Sequence, residues 1–290
     1  MLAFAPARGL FCLGFVAIFA ASVAPGAARA QGPAATVKFA PHIAIYDLKL
    51  TSSRGKRLLE SARGRIVYDF SGSACEGYSL QFRQVTELDS GEGKASLSDL
   101  RTSTWEEGDG KSFRFQSQNY MDDQRVSEVD GQADRAKEQV AVKLSKPGGK
   151  KFDAGKVVFP TEHMRLLIEA ARAGKTLLEV NVYDGSESGE KIYQSLSVIG
   201  KKIEPDKKLD DAAAGKDVLA GLARWPVTIS YFDKTAKKAE DELGEQTPVY
   251  AISFEMYENG ISRELKLDYG DFVIDGKMSS LEIKPVKACK

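Results

Sequence analysis

Imidazole is scarce in this chain, whose only histidines are His42 and His163. A three-histidine zinc site is therefore impossible, and no His-Glu-x-x-His occurs. A site of two histidines and one carboxylate would need both rings to converge from far apart in the sequence. His42 is expected to be exposed just ahead of the first strand. His163 is expected in the first turn of a helix, its ring satisfying a nearby backbone group. Nucleophile signals fail on inspection. Gly185-Ser186-Glu187-Ser188-Gly189 is similar to a nucleophile elbow but places Glu where the serine must stand. Ser-x-x-Lys occurs at Ser53–Lys56 and Ser188–Lys191, both in turn-rich stretches without a Lys-Thr-Gly partner motif. The acidic pairs Glu106-Glu107 and Asp122-Asp123 adjoin loops, with no sign of the desolvation that acid–base catalysis needs. No phosphate loop or dinucleotide fingerprint is present. No catalytic residue, cofactor site or metal ligand is assigned.

The remaining reactive groups are thiols. Residues 1–30 read as a cleaved secretory signal peptide. Arg8 supplies positive charge, Gly9 to Ala24 carries none, Pro25-Gly26 breaks the run, and Ala28-Arg29-Ala30 presents small residues before Gln31. The apolar run is shorter than the ~20 residues of a membrane span. Cys12 leaves with the leader, so Cys75 and Cys289 remain in an exported chain. In an oxidising compartment they allow one intramolecular bridge, pinning the C-terminus to an early strand. A redox-active thiol is the rival, weakened by the lack of Cys-x-x-Cys.

The elements that would position these groups are mostly strands. Ile66, Tyr68 and Phe70 alternate with polar neighbours, as do Tyr78, Leu80 and Phe82. Phe113 and Phe115, then Val140, Val142 and Leu144, then Leu178, Val180 and Val182 keep the same period. Ile192, Leu196 and Val198 resume it after the turn at Asp184-Gly185-Ser186. Asn259-Gly260 gives a hairpin signal between a strand over residues 249–256 and a return strand through Leu265, Leu267 and Tyr269. Asp275-Gly276 marks a further turn before a strand from Met278 to Ile283. One helix interrupts the strands from Thr161 to Ala173, started by Pro160 and stopped by Gly174. Met164, Leu167, Ile168 and Ala171 form its apolar stripe, while Arg165, Glu169 and Arg172 point elsewhere. A weaker helical patch runs from Lys216 to Ala223. Mixed-charge loops are expected at Gly200–Lys216 and Lys234–Gln246. The aromatics Tyr78, Phe82, Phe113, Phe115, Trp225, Tyr231, Tyr250, Phe254, Tyr257, Tyr269 and Phe272 either fill a core or line a cavity for an acyl chain or apolar peptide. The fold class is mainly β, with residues 31–290 forming one large domain.

Charge excludes one class of partner. The 41 basic and 41 acidic residues become 39 and 41 once the leader's two arginines are removed. No excess remains to displace phosphate counterions, so nucleic acid is not the partner.

Several strings stand out together: Cys75-Glu76-Gly77-Tyr78, Phe159-Pro160-Thr161-Glu162-His163-Met164, Val182-Tyr183-Asp184-Gly185 and Trp225-Pro226-Val227. Further on come Ile229-Ser230-Tyr231-Phe232-Asp233, Phe254 to Gly260 and Leu267-Asp268-Tyr269-Gly270-Asp271-Phe272. In their order they resemble the EipB family of periplasmic cell-envelope integrity proteins of Gram-negative bacteria. The resemblance implies a β-spiral, a single strongly curved antiparallel sheet or open barrel wrapped around one amphipathic helix. That shape is similar to the LolA and LolB lipoprotein carriers. It also implies a Cys75–Cys289 disulfide, a periplasmic location and a role in envelope integrity without enzymatic activity. The function expected is therefore a non-enzymatic periplasmic protein that binds a lipid, a lipoprotein or a protein partner on a curved β surface. An envelope glycan or lipid hydrolase with unidentified carboxylates is the alternative.

Overall fold

Along β7, from Gln139 to Lys146, Val140, Val142 and Leu144 are buried while their neighbours face water. The period of two read from the sequence is thus realised as a half-wet strand. A computed structural model describes residues 36–54, 59–91, 93, 95–205, 213, 217–235 and 246–286. The strands are β1 (His42–Ser53), β2 (Ser61–Ser73), β3 (Gly77–Asp89), β4 (Ser96–Glu106), β5 (Ser112–Met121), β6 (Gln124–Ala136), β7 and β8 (Lys151–Gly155). Helix α1 (Pro160–Arg172) follows, then β9 (Leu177–Val182), β10 (Tyr193–Ile199), β11 (Arg224–Asp233), β12 (Tyr250–Tyr257), β13 (Ser262–Asp268) and β14 (Phe272–Ile283).

All fourteen strands belong to one antiparallel sheet in the order β8-β7-β6-β5-β4-β3-β2-β1-β14-β13-β12-β11-β10-β9. Two meanders, β1–β8 and β9–β14, are joined where β1 pairs β14, with His42 opposite Ile283. The sheet is strongly curved but not closed. Its far ends approach, since Tyr183, just past β9, packs its ring on Phe115 of β5 at 5.6 Å. Gly185 presses against the same ring: a Cβ there would lie 2.3 Å from it, so only glycine seats this turn. A core of Phe113, Phe115, Val129, Val142, Leu144, Phe159 and Tyr183 fills that end of the curl.

Helix α1 lies within the curl and matches the expected span to one residue. Leu167, Ile168 and Ala171 of the expected stripe are buried, and Arg165 pairs with Glu169 at 3.2 Å. Its N-terminus has no local cap, because Phe159 stands at the capping position. Glu106, the last residue of β4, takes that role from the sheet. Its two carboxylate oxygens accept the Thr161 and Glu162 N–H groups at 2.7 and 2.8 Å. At the other end Gly174, at φ +70°, stops the helix, and the Lys175 N–H bonds the Ala170 carbonyl at 2.9 Å.

Four expectations need correction. The turn expected at Asp275-Gly276 does not form, because both residues pair within β14, which runs unbroken from Phe272 to Ile283. The alternation in β10 is real but its face is inverted. Ser195 and Ser197 are fully buried, whereas Leu196 and Val198 are 36% and 49% exposed. The inner side of β10 lies against α1, where the Ser195 hydroxyl meets the His163 ring at 3.3 Å; small side chains permit that approach. The helical patch after Lys216 is a single 3-10 turn at Asp217–Leu219, cut off by Gly221 at φ +76° before β11 begins. Tyr269 lies beyond the return strand, which ends at Asp268 where the chain turns toward β14. The leader, Cys289, Lys56 and the centres of both mixed-charge loops lie outside the described residues.

Candidate functional site

The inner face of the curl leaves a cavity of about 360 Å³ between the sheet and α1. Inward-pointing residues supply its walls because alternation sends every second side chain there. β2 and β3 contribute Ile66, Tyr68, Leu80 and Phe82, and β11 to β13 contribute Ile229, Tyr231, Tyr250, Ile252, Phe254, Leu265 and Leu267. His163, Met164 and Leu167 of α1 close one side. Polar groups are few: His42, Gln84, His163, Ser262, Asp184 and the tyrosine hydroxyls. Gln84 donates to the Tyr269 hydroxyl at 3.2 Å, which ties β3 to the turn after β13. Grooves on the outer face of β2 to β6 are wider, but they are open and polar, with Gln81, Ser103 and Gln116 on their walls.

The aromatic residues divide between the two roles expected for them. Phe82, Tyr231, Tyr250 and Phe254 line the cavity. Tyr78, Phe113, Phe115, Trp225 and Tyr257 are buried core, while Tyr269 and Phe272 are partly exposed. A string of rings runs from Tyr193 through Tyr231, Tyr250 and Tyr269 to Phe272 at centroid spacings of 4.9–6.1 Å. Offset and edge contacts of this kind hold aromatic walls rigid.

Both histidines meet the same cavity. His42 is buried rather than exposed, which corrects the sequence expectation. It is the first inward residue of β1, stacks on Tyr68 at 5.6 Å, and its Nδ1–H donates to the Ala40 carbonyl at 2.7 Å. Burial lowers its pKa. His163 bonds a side chain rather than the backbone group expected, and burial drops its pKa to about 4. Both rings are therefore neutral near pH 7. The Ser195–His163 contact is not a hydrolytic dyad. Ser195 is fully buried, its hydroxyl also reaches the Val180 carbonyl at 3.2 Å, and no carboxylate orients the ring among the described residues. Likewise, among the described residues no three His, Cys, Asp or Glu side chains could hold a metal ion.

The acidic pairs do not converge. Asp122 and Asp123 sit exposed in the β5–β6 turn at positive φ. Glu107 is half-buried beyond the end of β4, whereas Glu106 is buried as the helix cap. Burial pushes the Glu106 carboxyl up to about 7 against the pull of its two N–H donors. Sequence alone hid this residue because its partner is fifty-five positions away. A raised folded pKa means that the native state binds the extra proton. Stability from this group is then full below the ordinary value of 4.5 and is lost as pH rises through 7. Between pH 5 and 8, the wild type is expected to lose up to ~3 kcal/mol relative to Glu106→Gln. Urea unfolding at both pH values checks this, and parallel pH profiles for the two proteins would refute it.

In the sequence Asp184 reads only as a turn residue. It begins that turn by accepting the Ser186 N–H at 2.9 Å, yet it also faces the cavity, and burial raises its carboxyl pKa. No described helix is long and apolar enough to cross a membrane.

Comparison with known proteins agrees with this architecture. The profile of the EipB-like family matches residues 33–285. The chain is 40% identical over 260 residues to the "Cell envelope integrity protein EipB" of Brucella abortus (strain 2308), covering 89% of each chain. A crystal structure of a beta-barrel-like protein of a domain of unknown function from Brucella abortus superposes with a TM-score of 0.78 at 38% identity. That match covers 86% of this chain and 100% of the other. The curled sheet, its enclosed helix and these matches together place the chain in the EipB-like family.

Proposed function

We propose that this protein is a non-enzymatic periplasmic factor that supports envelope integrity by holding an apolar chain in its cavity. The apolar hollow between sheet and helix carries this reading. A methylene takes about the same ~30 Å³ as a water molecule, so 360 Å³ admits one acyl chain of ~12 carbons. That size suits one tail of a lipid or lipoprotein, not several. The envelope role is taken from the Brucella abortus relative, a cell envelope integrity protein.

The same reading includes a leader cleaved before Gln31, one exported domain and a Cys75–Cys289 bridge. Strand directions support the bridge. β14 runs antiparallel to β1, and β1 antiparallel to β2, so β14 leaves the sheet toward the β2–β3 turn that carries Cys75. Ile283 lies opposite His42, which lies opposite Phe70. From there Cys75 is ~16 Å along the strand and ~10 Å across it. The six residues from Ile283 to Cys289 span ~20 Å when extended, enough to close the gap.

Native mass spectrometry of protein gently purified from the periplasm is expected to show adducts of acyl-chain mass. Ile252→Trp, which fills the cavity, is expected to abolish them while the fold is kept. A bare mass for the wild type, with no uptake from a phospholipid extract, would refute the reading.

A further inference from the structure

We propose that the cavity selects amphiphiles whose head is a cationic ammonium group, with Asp184 as the head-binding residue. This rests on the reading that the cavity holds an apolar chain and adds the chemistry of the head. The charge inventory of the lining is one-sided. Among the described residues Asp184 is its single carboxylate, and none of the described lysines or arginines lines the cavity. Among the described residues no base pairs with Asp184. The nearest basic side chain in sequence, Lys191, is engaged by Asp233 at the end of β11. Glu187, in the same turn, adds a carboxylate whose charge Lys191 offsets only in part, from 4.0 Å. Both cavity histidines are neutral, as their burial requires.

An anionic head would meet no positive partner here and would be repelled by Asp184. An ammonium head would supply the missing countercharge to a desolvated carboxylate. The neighbouring walls suit the same ion. Tyr231, near Asp184, and Tyr250 line the same cavity with stacked rings 6.1 Å apart, and tyrosine faces attract ammonium groups through their quadrupoles. Burial first, and the nearby Asp184 charge second, disfavour ionisation of Tyr231, so the phenol stays neutral. The tail then runs along Ile252, Phe254, Leu265 and Leu267.

The test uses the full exported chain and three twelve-carbon probes below their micelle concentrations: dodecyltrimethylammonium, dodecanol and dodecyl sulfate. Titration calorimetry is expected to rank the ammonium probe about tenfold tighter than dodecanol, with the sulfate weakest. Asp184→Asn, a near-isosteric change, is expected to erase the gap between ammonium and alcohol. Should the three probes bind wild type equally, or the sulfate bind best, head selection is overturned while the chain-binding role stands. Should none bind, the chain-binding role itself falls. The wild-type ranking is decisive even if the variant folds poorly.

Discussion

Glu255→Ala is expected to destabilise the protein by about 3–5 kcal/mol, a loss typical of breaking a buried ion pair from one side. Glu255 on β12 accepts from Arg224 on β11 at 2.7 Å and from Arg263 on β13 at 2.8 Å. The side chains of both arginines are 5% exposed or less, so neither can turn to water when the carboxylate is removed; Arg263 keeps its 2.9 Å contact with Glu264, whereas Arg224 loses its ion pair. Arg224 also lies 5.7 Å from the Tyr257 ring centre, a contact that survives the substitution but cannot neutralise the charge. Chemical denaturation followed by circular dichroism measures the loss. A change below ~1 kcal/mol would place this triad among ion pairs that water already screens. Replacing all three residues with apolar side chains of similar volume is expected to restore much of the stability, since the desolvation of three charges then disappears.

Cys75→Ser ranks second. Joining residue 75 to residue 289 closes a loop of more than two hundred residues, for which loop entropy gives roughly 5 kcal/mol. About 4 kcal/mol of loss is expected, read as a fall in Tm of ~8–16 °C. Cys289→Ser should match it, and the double variant should add nothing, because one bond is being removed each time. A reductant should bring the wild type to the same Tm. If it leaves the wild type untouched, the bridge is not formed.

The sequence exposed whatever is local. The helix was bounded by Pro160 and Gly174, and the β12–β13 turn by Asn259-Gly260, because backbone geometry at those points is a property of the residue itself. Alternation located most strands but could not say which face is inside: β10 buries Ser195 and Ser197 and exposes Leu196 and Val198. Only the approach of α1 decides that, and no neighbouring residue records it. The same holds for the candidate site. Its aromatic walls were legible as a class, yet His42 and Asp184 read as an exposed residue and a turn residue. They become cavity groups through the curvature of a sheet whose members lie far apart in the chain. Glu106 shows the limit most plainly, since a helix cap lent by a distant strand leaves no spacing to find.

The seam between β1 and β14 governs how the chain finds its structure. Every other strand pairing joins neighbours in sequence or spans one turn, so each meander can zip by short-range steps. The seam must instead bring Ile283 back to His42, almost the whole length of the folded region. Such non-local pairing is slow, because the entropy of closing the ring falls due before any contact rewards it. Two finished arms thus wait on one late docking event, each presenting an open edge strand. At high concentration the waiting edge of one molecule meets that of another, and refolding there is expected to yield strand-exchanged dimers, which size-exclusion chromatography would resolve from monomers.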